Sequence, residues 1–332
     1  MVGRKADHLR IAAGAGVCHT GSTGFERYRL RHRALPERDL ADVSLETDLL
    51  GARLGAPLVV SAMTGGAPES EAVNARLARA ACEHGLALML GSGRALLEDP
   101  SRLATYRSGD RPPLLLGNLG AAQVVRADAG ERAARLVDLL RADGLAVHLN
   151  PIQEAVQPEG EPRFAGVAAG IAAVVAALAP LPVIVKELGF GMDAEDVALL
   201  RDAGVAAIDV AGAGGTNWAL VEGRREAGAA RVAGAFADWG VPTADALVEA
   251  VAAAPGLPIL ASGGLRDGVD AAKALALGAA AVGLARPFLI GAQADEASET
   301  AAALVRQLRV AVWAAGAPSA AALTPAHLRE RA

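Results

Sequence analysis

Short apolar runs return eight times along the chain, at 57–62 (PLVVSA), 86–90 (LALML), 114–116 (LLL), 145–149 (LAVHL), 182–185 (PVIV), 206–210 (AAIDV), 258–261 (PILA) and 280–284 (AAVGL). Each is nearly continuous in Val, Leu, Ile and Ala, which suits a strand covered on both faces. Between them lie Ala/Leu/Arg-rich segments with helical spacing, such as 71–84, 129–142 and 193–203. Gly85, Gly144, Gly204 and Gly278 stand where those helices need a left-handed closing residue. Strand, helix and glycine in eightfold succession predict an α/β fold, a (β/α)8 TIM barrel. An open doubly wound sheet fits less well, because eight units are present and no early GxGxxG turn is.

Two segments fall outside this rhythm. Residues 1–56 form a charged N-terminal extension, and 216–256 is too long for one loop and one helix, predicting an insertion after strand 6. Its polar stretch 222–230 reads as a mobile lid. From 291 onward the pattern is that of a terminal helix or two. No linker divides the chain, so 1–332 reads as a single domain.

Composition narrows the partners. The 332 residues carry a formal charge of −5 and are 52% hydrophobic but only 3% aromatic, so Ala, Val, Leu and Ile must build the core. Such a mild balance argues against nucleic acid or a membrane surface as partner, while leaving room for a local basic pocket. Cys18 and Cys82 stand far apart and in no metal pattern, as expected of reduced thiols in the cytoplasm. The N-terminus has no apolar run of the kind a secretory signal needs. Residues 165–185 lack charge over the length of a membrane span, but Ala, Gly, Pro180 and Pro182 make them a buried helix followed by a short strand.

In such a barrel the chemistry gathers at the C-terminal ends of the strands, and the polar residues concentrate there. Strand 1 runs into Ser61-Ala62-Met63-Thr64-Gly65-Gly66, strand 2 into Gly91-Ser92-Gly93-Arg94 and strand 3 into Gly117-Asn118. His148, Asn150, Gln153 and Glu154 follow strand 4, and Lys186-Glu187 ends strand 5. Asp209 and GAGGT (212–216) belong to strand 6, Ser262-Gly263-Gly264 to strand 7, and Ala285-Arg286 to strand 8.

The last three loops offer backbone N–H groups and a helix start, the elements of a phosphate site; the alternative is that their glycines only make tight turns. A phosphate there suits FMN. Its ring would lie on the backbone of Met63, Thr64, Gly65 and Gly66, with Ser92 and Asn118 at its edge and Lys186 near N1 and C2=O. Lys186 could equally be spent on an ion pair with Glu187 or Asp209. Within HLNPIQE (148–154), His148 and Asn150 can bind phosphate oxygens, Glu154 can hold Mg²⁺, and neutral Gln153 can orient or relay; the same residues also suit a strand end with helix caps. Arg4, Lys5 and His8 form a basic cluster, either part of the site or an exposed patch, and Arg94 adds another cation.

Together these motifs resemble the FMN-dependent type 2 isopentenyl-diphosphate delta-isomerases. The resemblance spans nearly the whole chain. RKADHLRI (4–11), SAMTGG (61–66), HLNPIQEAVQPEGEPRF (148–164), VKELGFGM (185–192) and DVAGAGGTNW (209–218) carry most of it, and ASGGLRDGVDAAKALALGAAAVGLARPFL (261–289) is shared more widely among FMN and phosphate-binding barrels. It implies conversion of isopentenyl to dimethylallyl diphosphate in isoprenoid biosynthesis. The diphosphate would meet Arg4, Lys5, His8, Arg94, His148 and Asn150, with the N-terminal extension contributing to the substrate site. Gln153 and Lys186 would serve the chemistry and Glu154 would ligate Mg²⁺. Met63, Thr64, Gly65, Gly66, Ser92, Asn118, Lys186, Thr216, Gly263, Gly264, Ala285 and Arg286 would surround FMN. NADPH would serve only to reduce the flavin, and the protein would be a cytoplasmic homo-oligomer, a tetramer or octamer. Gly93 departs from the pattern, which has glutamine there.

Two other readings compete. A 2-hydroxy-acid oxidase on the same barrel would need a histidine base near strands 6 and 7, yet no His lies between His148 and His327. An inert phosphate-binding barrel would be expected to have lost Lys186, Gln153 or Glu154, and all three are present.

Overall fold

The eight apolar runs are the eight strands of a closed parallel barrel: β1 Leu58–Val60, β2 Ala87–Met89, β3 Leu114–Gly120, β4 Gly144–His148, β5 Val183–Lys186, β6 Ala207–Asp209, β7 Ile259–Ala261 and β8 Ala281–Leu284. This computed structural model describes residues 2–107 and 109–330. β8 closes on β1 in parallel register, with Val282 opposite Leu58 and Leu284 opposite Val60.

Successive strand residues face opposite ways, and that alternation sorts the core into two shells. Val59, Ala87, Met89, Leu114, Leu116, Ala146, Ile184, Ala207, Leu260 and Ala281 fill the barrel interior. Leu58, Val60, Leu88, Leu145, Val147, Val185 and Val282 face outward into the helical layer. Interior alanines set against larger Met, Leu and Ile let the narrow centre pack without aromatic rings.

The helical ring follows the predicted segments: Glu69–Glu83, Ala129–Leu140, Val167–Leu178, Ala194–Asp202, Thr243–Ala253, Gly268–Ala276, Arg286–Ala294 and Ala297–Ala314. The uncharged stretch at 165–185 is the helix Val167–Leu178 followed by β5. Among the described residues, no helix is long and apolar enough to cross a membrane. Gly85, Gly204 and Gly278 have positive φ as expected, but Gly144 does not; the left-handed residue there is Arg141, with φ 48°. Gly144 instead opens β4, where a Cβ would lie 2.4 Å from the Pro182 carbonyl, so close approach of two strands is what requires glycine.

The N-terminal extension works at both ends of the barrel. Helix Val2–Ala13 packs against Arg286–Ala294 and the post-strand-6 insertion, at the mouth. The hairpin Thr47–Leu49/Ala52–Leu54 directly precedes β1 and sets Leu49 and Leu54 beneath the interior shell. Tyr28–Leu30 pairs antiparallel with Leu328–Glu330. The insertion after β6 differs from the open lid its polarity predicts. It is helical over Trp218–Arg225, Ala227–Ala229 and Ala230–Gly234, and Glu222 within it is completely buried.

Candidate active site

A cavity of about 520 Å³ opens at the C-terminal mouth of the barrel and draws residues from all eight strand ends and from helix Val2–Ala13. Nearly all the predicted site residues meet there: Lys5, His8, Met63, Thr64, Gly65, Ser92, Arg94, Asn118, His148, Asn150, Gln153, Glu154, Lys186, Thr216, Gly263, Gly264, Ala285 and Arg286 line it. Two are not named among them. Gly66 lies behind the wall, its N–H on the Thr105 hydroxyl at 2.8 Å and its carbonyl taken by Arg102 at 2.7 Å, because Tyr106 and Lys5 occupy the space in front. Arg4 belongs to helix Val2–Ala13, but its side chain lies outside the described residues.

One side of the cavity is a backbone cradle. Gly214, Gly263 and Gly264 adopt φ of 116°, 104° and 73°. A Cβ on Gly263 would fall 2.1 Å from the Gly212 carbonyl, and one on Gly215 would fall 2.4 Å from the Gly264 nitrogen. The chain therefore approaches itself at distances only glycine allows. Beside the cradle, helix Arg286–Ala294 begins with Pro287 in its first turn and presents its positive end to the cavity. The Arg286 guanidinium points elsewhere: it donates to the carbonyls of Ala12, Ala13 and Gly14, clamping the C-terminus of the N-terminal helix. A phosphate at this corner would be held by backbone amides while the Arg286 side chain fixes the helix that roofs the mouth.

The other side collects cations and one carboxylate. Lys5 donates to the carbonyls of Gly65 and Ser92 and to the Tyr106 hydroxyl, which itself donates to Ser92 O at 2.7 Å. Arg94 is held by Glu98 at 3.0 Å and Glu161 at 2.9 Å. His148 shares a 2.6 Å hydrogen bond between Nδ1 and Asn118 Oδ1. Burial, with Lys186 and Lys5 adding to it, pushes that imidazole down to about 3, which favours the neutral ring. Glu154 is the one carboxylate among the described lining residues. Its Oε1 accepts from Asn150 at 2.9 Å and its Oε2 from the Glu161 amide at 2.7 Å. Among the described residues, no group of three His, Cys, Asp or Glu could hold a metal alone. A cation here would need oxygens from a ligand, as Mg²⁺ with a diphosphate has.

Between the two sides lies Gln153, 6% exposed. Its oxygen accepts from Asn150 at 3.0 Å and its nitrogen donates to Glu222 Oε1 at 2.7 Å. Glu222 also meets His8 Nε2 at 2.9 Å and Arg225 Nε at 2.8 Å. Burial would raise its carboxyl, but His8, Gln153 and Arg225 outweigh burial and hold it at about 2. His8 in turn stands edge-on to Trp218, with ring centroids 5.3 Å apart. Glu222 and Tyr106 were missed by sequence reasoning. For Glu222 a signal existed: behind an Asn217 cap, Trp218, Glu222 and Arg225 follow at i, i+4 and i+7, one face of a helix. Gly93 packs on Leu136, whose side-chain carbons would lie 2.4–3.1 Å from any Cβ, so the glutamine of the usual motif would require the Leu136 side chain to shift.

A family model for FMN-dependent dehydrogenases matches residues 3–101 and 162–330. An isopentenyl-diphosphate delta-isomerase of Stutzerimonas stutzeri is 48% identical over 339 residues, covering 99% of this chain and 97% of its own length. One of Xanthobacter autotrophicus is 48% identical over 327 residues, covering 96% and 95%. The chain belongs to the isopentenyl-diphosphate delta-isomerase family. As a member of that family it shares its barrel with more distant flavoproteins: a mandelate oxidase structure with (S)-2-phenylpropionate superposes with a TM-score of 0.65 at 25% identity, covering 98% of both chains. In this chain the cavity holds a carboxylate–amide network around Gln153, to which the N-terminal helix contributes His8.

Proposed function

We propose that the protein moves the double bond of isopentenyl diphosphate to give dimethylallyl diphosphate, using reduced FMN and Mg²⁺. The observation that carries this reading is the polarity of one cavity: a glycine cradle with a helix N-terminus at one end, and Lys5, His8, Arg94, His148 and a lone carboxylate at the other. Reduced FMN, when bound, supplies an electron-rich ring whose N5 region can give and take a proton, so the isomerisation needs no net redox change.

The remaining work belongs to the chain. Ser92, Asn118 and the 63–65 backbone would hold the ring edge, and Lys186 would set positive charge against it. Lys5, His8, Arg94, His148 and Asn150 would receive the diphosphate, and Glu154 would share its Mg²⁺. An incoming diphosphate would draw a proton onto the neutral His148 and compete with Glu161 for Arg94. Anchoring the diphosphate this way spends remote binding energy on placing the carbons. Gln153 would then face those carbons with its amide orientation fixed, since Glu222 can only accept from it and Asn150 donates to its oxygen. NADPH would act only as reductant of FMN. A homo-oligomer of four or eight chains in the cytoplasm, in isoprenoid biosynthesis, completes the proposal.

The oxidase reading draws on the shared barrel. The histidines among the described lining residues are His8 and His148, and both are assigned to the diphosphate in the proposed reaction, which leaves the oxidase reading without a base. Purified protein should be yellow, inactive when oxidised, and active on isopentenyl diphosphate with Mg²⁺ after anaerobic reduction by dithionite. Equal activity in flavin-free protein would overturn the proposal, and oxidation of 2-hydroxy acids would replace it.

A further inference from the structure

Lys186 ends β5 with only 4% of its surface exposed. Barrel register places it between His148 on β4 and Asp209 on β6, and residues in parallel register share a face. His148, Lys186 and Asp209 thus form one row across three strands. Asp209 is completely buried. Its Oδ1 accepts from the Ser262 hydroxyl at 2.7 Å and the Ala211 amide at 3.3 Å, whereas Oδ2 meets no protein donor. Gly283 on β8 keeps this corner open: a Cβ there would lie 2.5 Å from Ser61 Oγ and 3.6 Å from Asp209 Oδ2.

A carboxylate this deep is costly unless positive charge opposes it. In its row the cation is Lys186, since His148 is held neutral. The other acid near Lys186 is Glu187; its Oε1, like Asp209 Oδ2, meets no donor, but it follows Lys186 at the end of β5 instead of sharing its row, and its Oε2 is committed elsewhere. Glu187 Oε2 accepts the amides of Leu188, Gly189 and Phe190 at 2.5, 2.6 and 2.5 Å. Lys186 donates to the Glu187 backbone carbonyl rather than to its carboxylate. Burial pulls the Lys186 ammonium down, and Asp209 is the foremost group opposing that fall, ahead of Glu187.

We propose that Asp209 is a positioning residue whose buried carboxylate, beside Lys186 in the same row, balances the charge that Lys186 presents to the flavin side of the cavity. The inference rests on the FMN reading. A charged Lys186 favours the reduced, anionic flavin, so Asp209 acts on the ring only through the lysine.

The test compares binding of oxidised and reduced FMN, titrated anaerobically into wild-type protein and variants. In Asp209→Asn the ratio of reduced to oxidised dissociation constants should rise about tenfold, equivalent to about 30 mV for a two-electron couple. Lys186→Met should shift the ratio in the same direction, and adding Asp209→Asn to it should change nothing further. If Asp209→Asn fails to fold, Ser262→Ala, which removes the hydroxyl holding that carboxylate, should give a smaller shift of the same sign. An unchanged ratio, a shift favouring reduced FMN, or the same loss in Glu187→Gln would overturn the inference while leaving the cofactor reading intact. Wild-type protein that takes up no FMN would overturn both.

Discussion

Replacing Glu222 by Gln separates charge from shape at the centre of the site. The side chain is fully buried, accepts hydrogen bonds from Gln153 and Arg225, and lies 2.9 Å from His8 Nε2. Its carboxyl is held at about 2 against an ordinary value of 4.5. That lowering corresponds to about 3 kcal/mol in favour of the charged form. The sign follows: this stabilisation is complete above pH 4.5 and is lost as pH falls from there toward 2. A glutamine has one oxygen where the carboxylate offers one to each donor, so either Arg225 or Gln153 must face an NH2 group. Arg225 keeps Glu159 at 2.5 Å as a partner, whereas no such second acceptor fixes the Gln153 amide. The loss should therefore appear in turnover. If all of about 3 kcal/mol is expressed at the transition state, kcat falls by roughly two orders of magnitude; partial expression gives at least about tenfold. FMN content should be unchanged, since Glu222 does not line the cradle. The assay is anaerobic turnover of isopentenyl diphosphate by dithionite-reduced holoenzyme, with flavin absorbance as the control. A kcat within about threefold of the parent would refute the view that Glu222 orients Gln153.

Three further outcomes are expected. Glu154→Gln should raise the Mg²⁺ concentration for half-maximal rate by about tenfold or more, or abolish turnover, and an unchanged Mg²⁺ response in a metal titration would remove Glu154 from the site. Gln153→Ala should retain FMN, read by its absorbance, and lose about a hundredfold in kcat; a near-normal rate would deny this side chain a direct role. His148, held at about 3 against an ordinary 6.5, favours the fold in its neutral form, and that contribution is lost as pH falls from 6.5 toward 3. His148→Gln should therefore lose less Tm than the parent between about pH 7 and about pH 5 in ligand-free protein, and equal losses would refute the burial argument.

The barrel was legible because a strand covered on both faces leaves a short, unbroken apolar run, and eight such runs with helical segments between them admit few topologies. The rim followed from the same logic, since polar residues just beyond each run must gather at one end. Gly144 shows the weakness of reading glycine by position alone: a helix-closing residue and a close-packed strand start look identical in sequence. Glu222 shows a different limit. A run such as EGRREAG reads as solvated surface, and the burial of Glu222 depends on partners at 8 and 153 that only the closed barrel brings to it. Arg286 lay in the right corner for the wrong reason, because nothing local reveals that its guanidinium is spent on the end of a helix some 270 positions earlier.

The filled interior has a bearing on traffic. With Leu49 and Leu54 under a shell of Val59, Met89, Leu116, Ile184 and Leu260, the described barrel has a floor but no back door. Anything admitted at the top must leave past the same N-terminal helix. A substrate and a product of identical formula and charge would meet that doorway on equal terms. Net flux would then follow from whatever removes the product downstream.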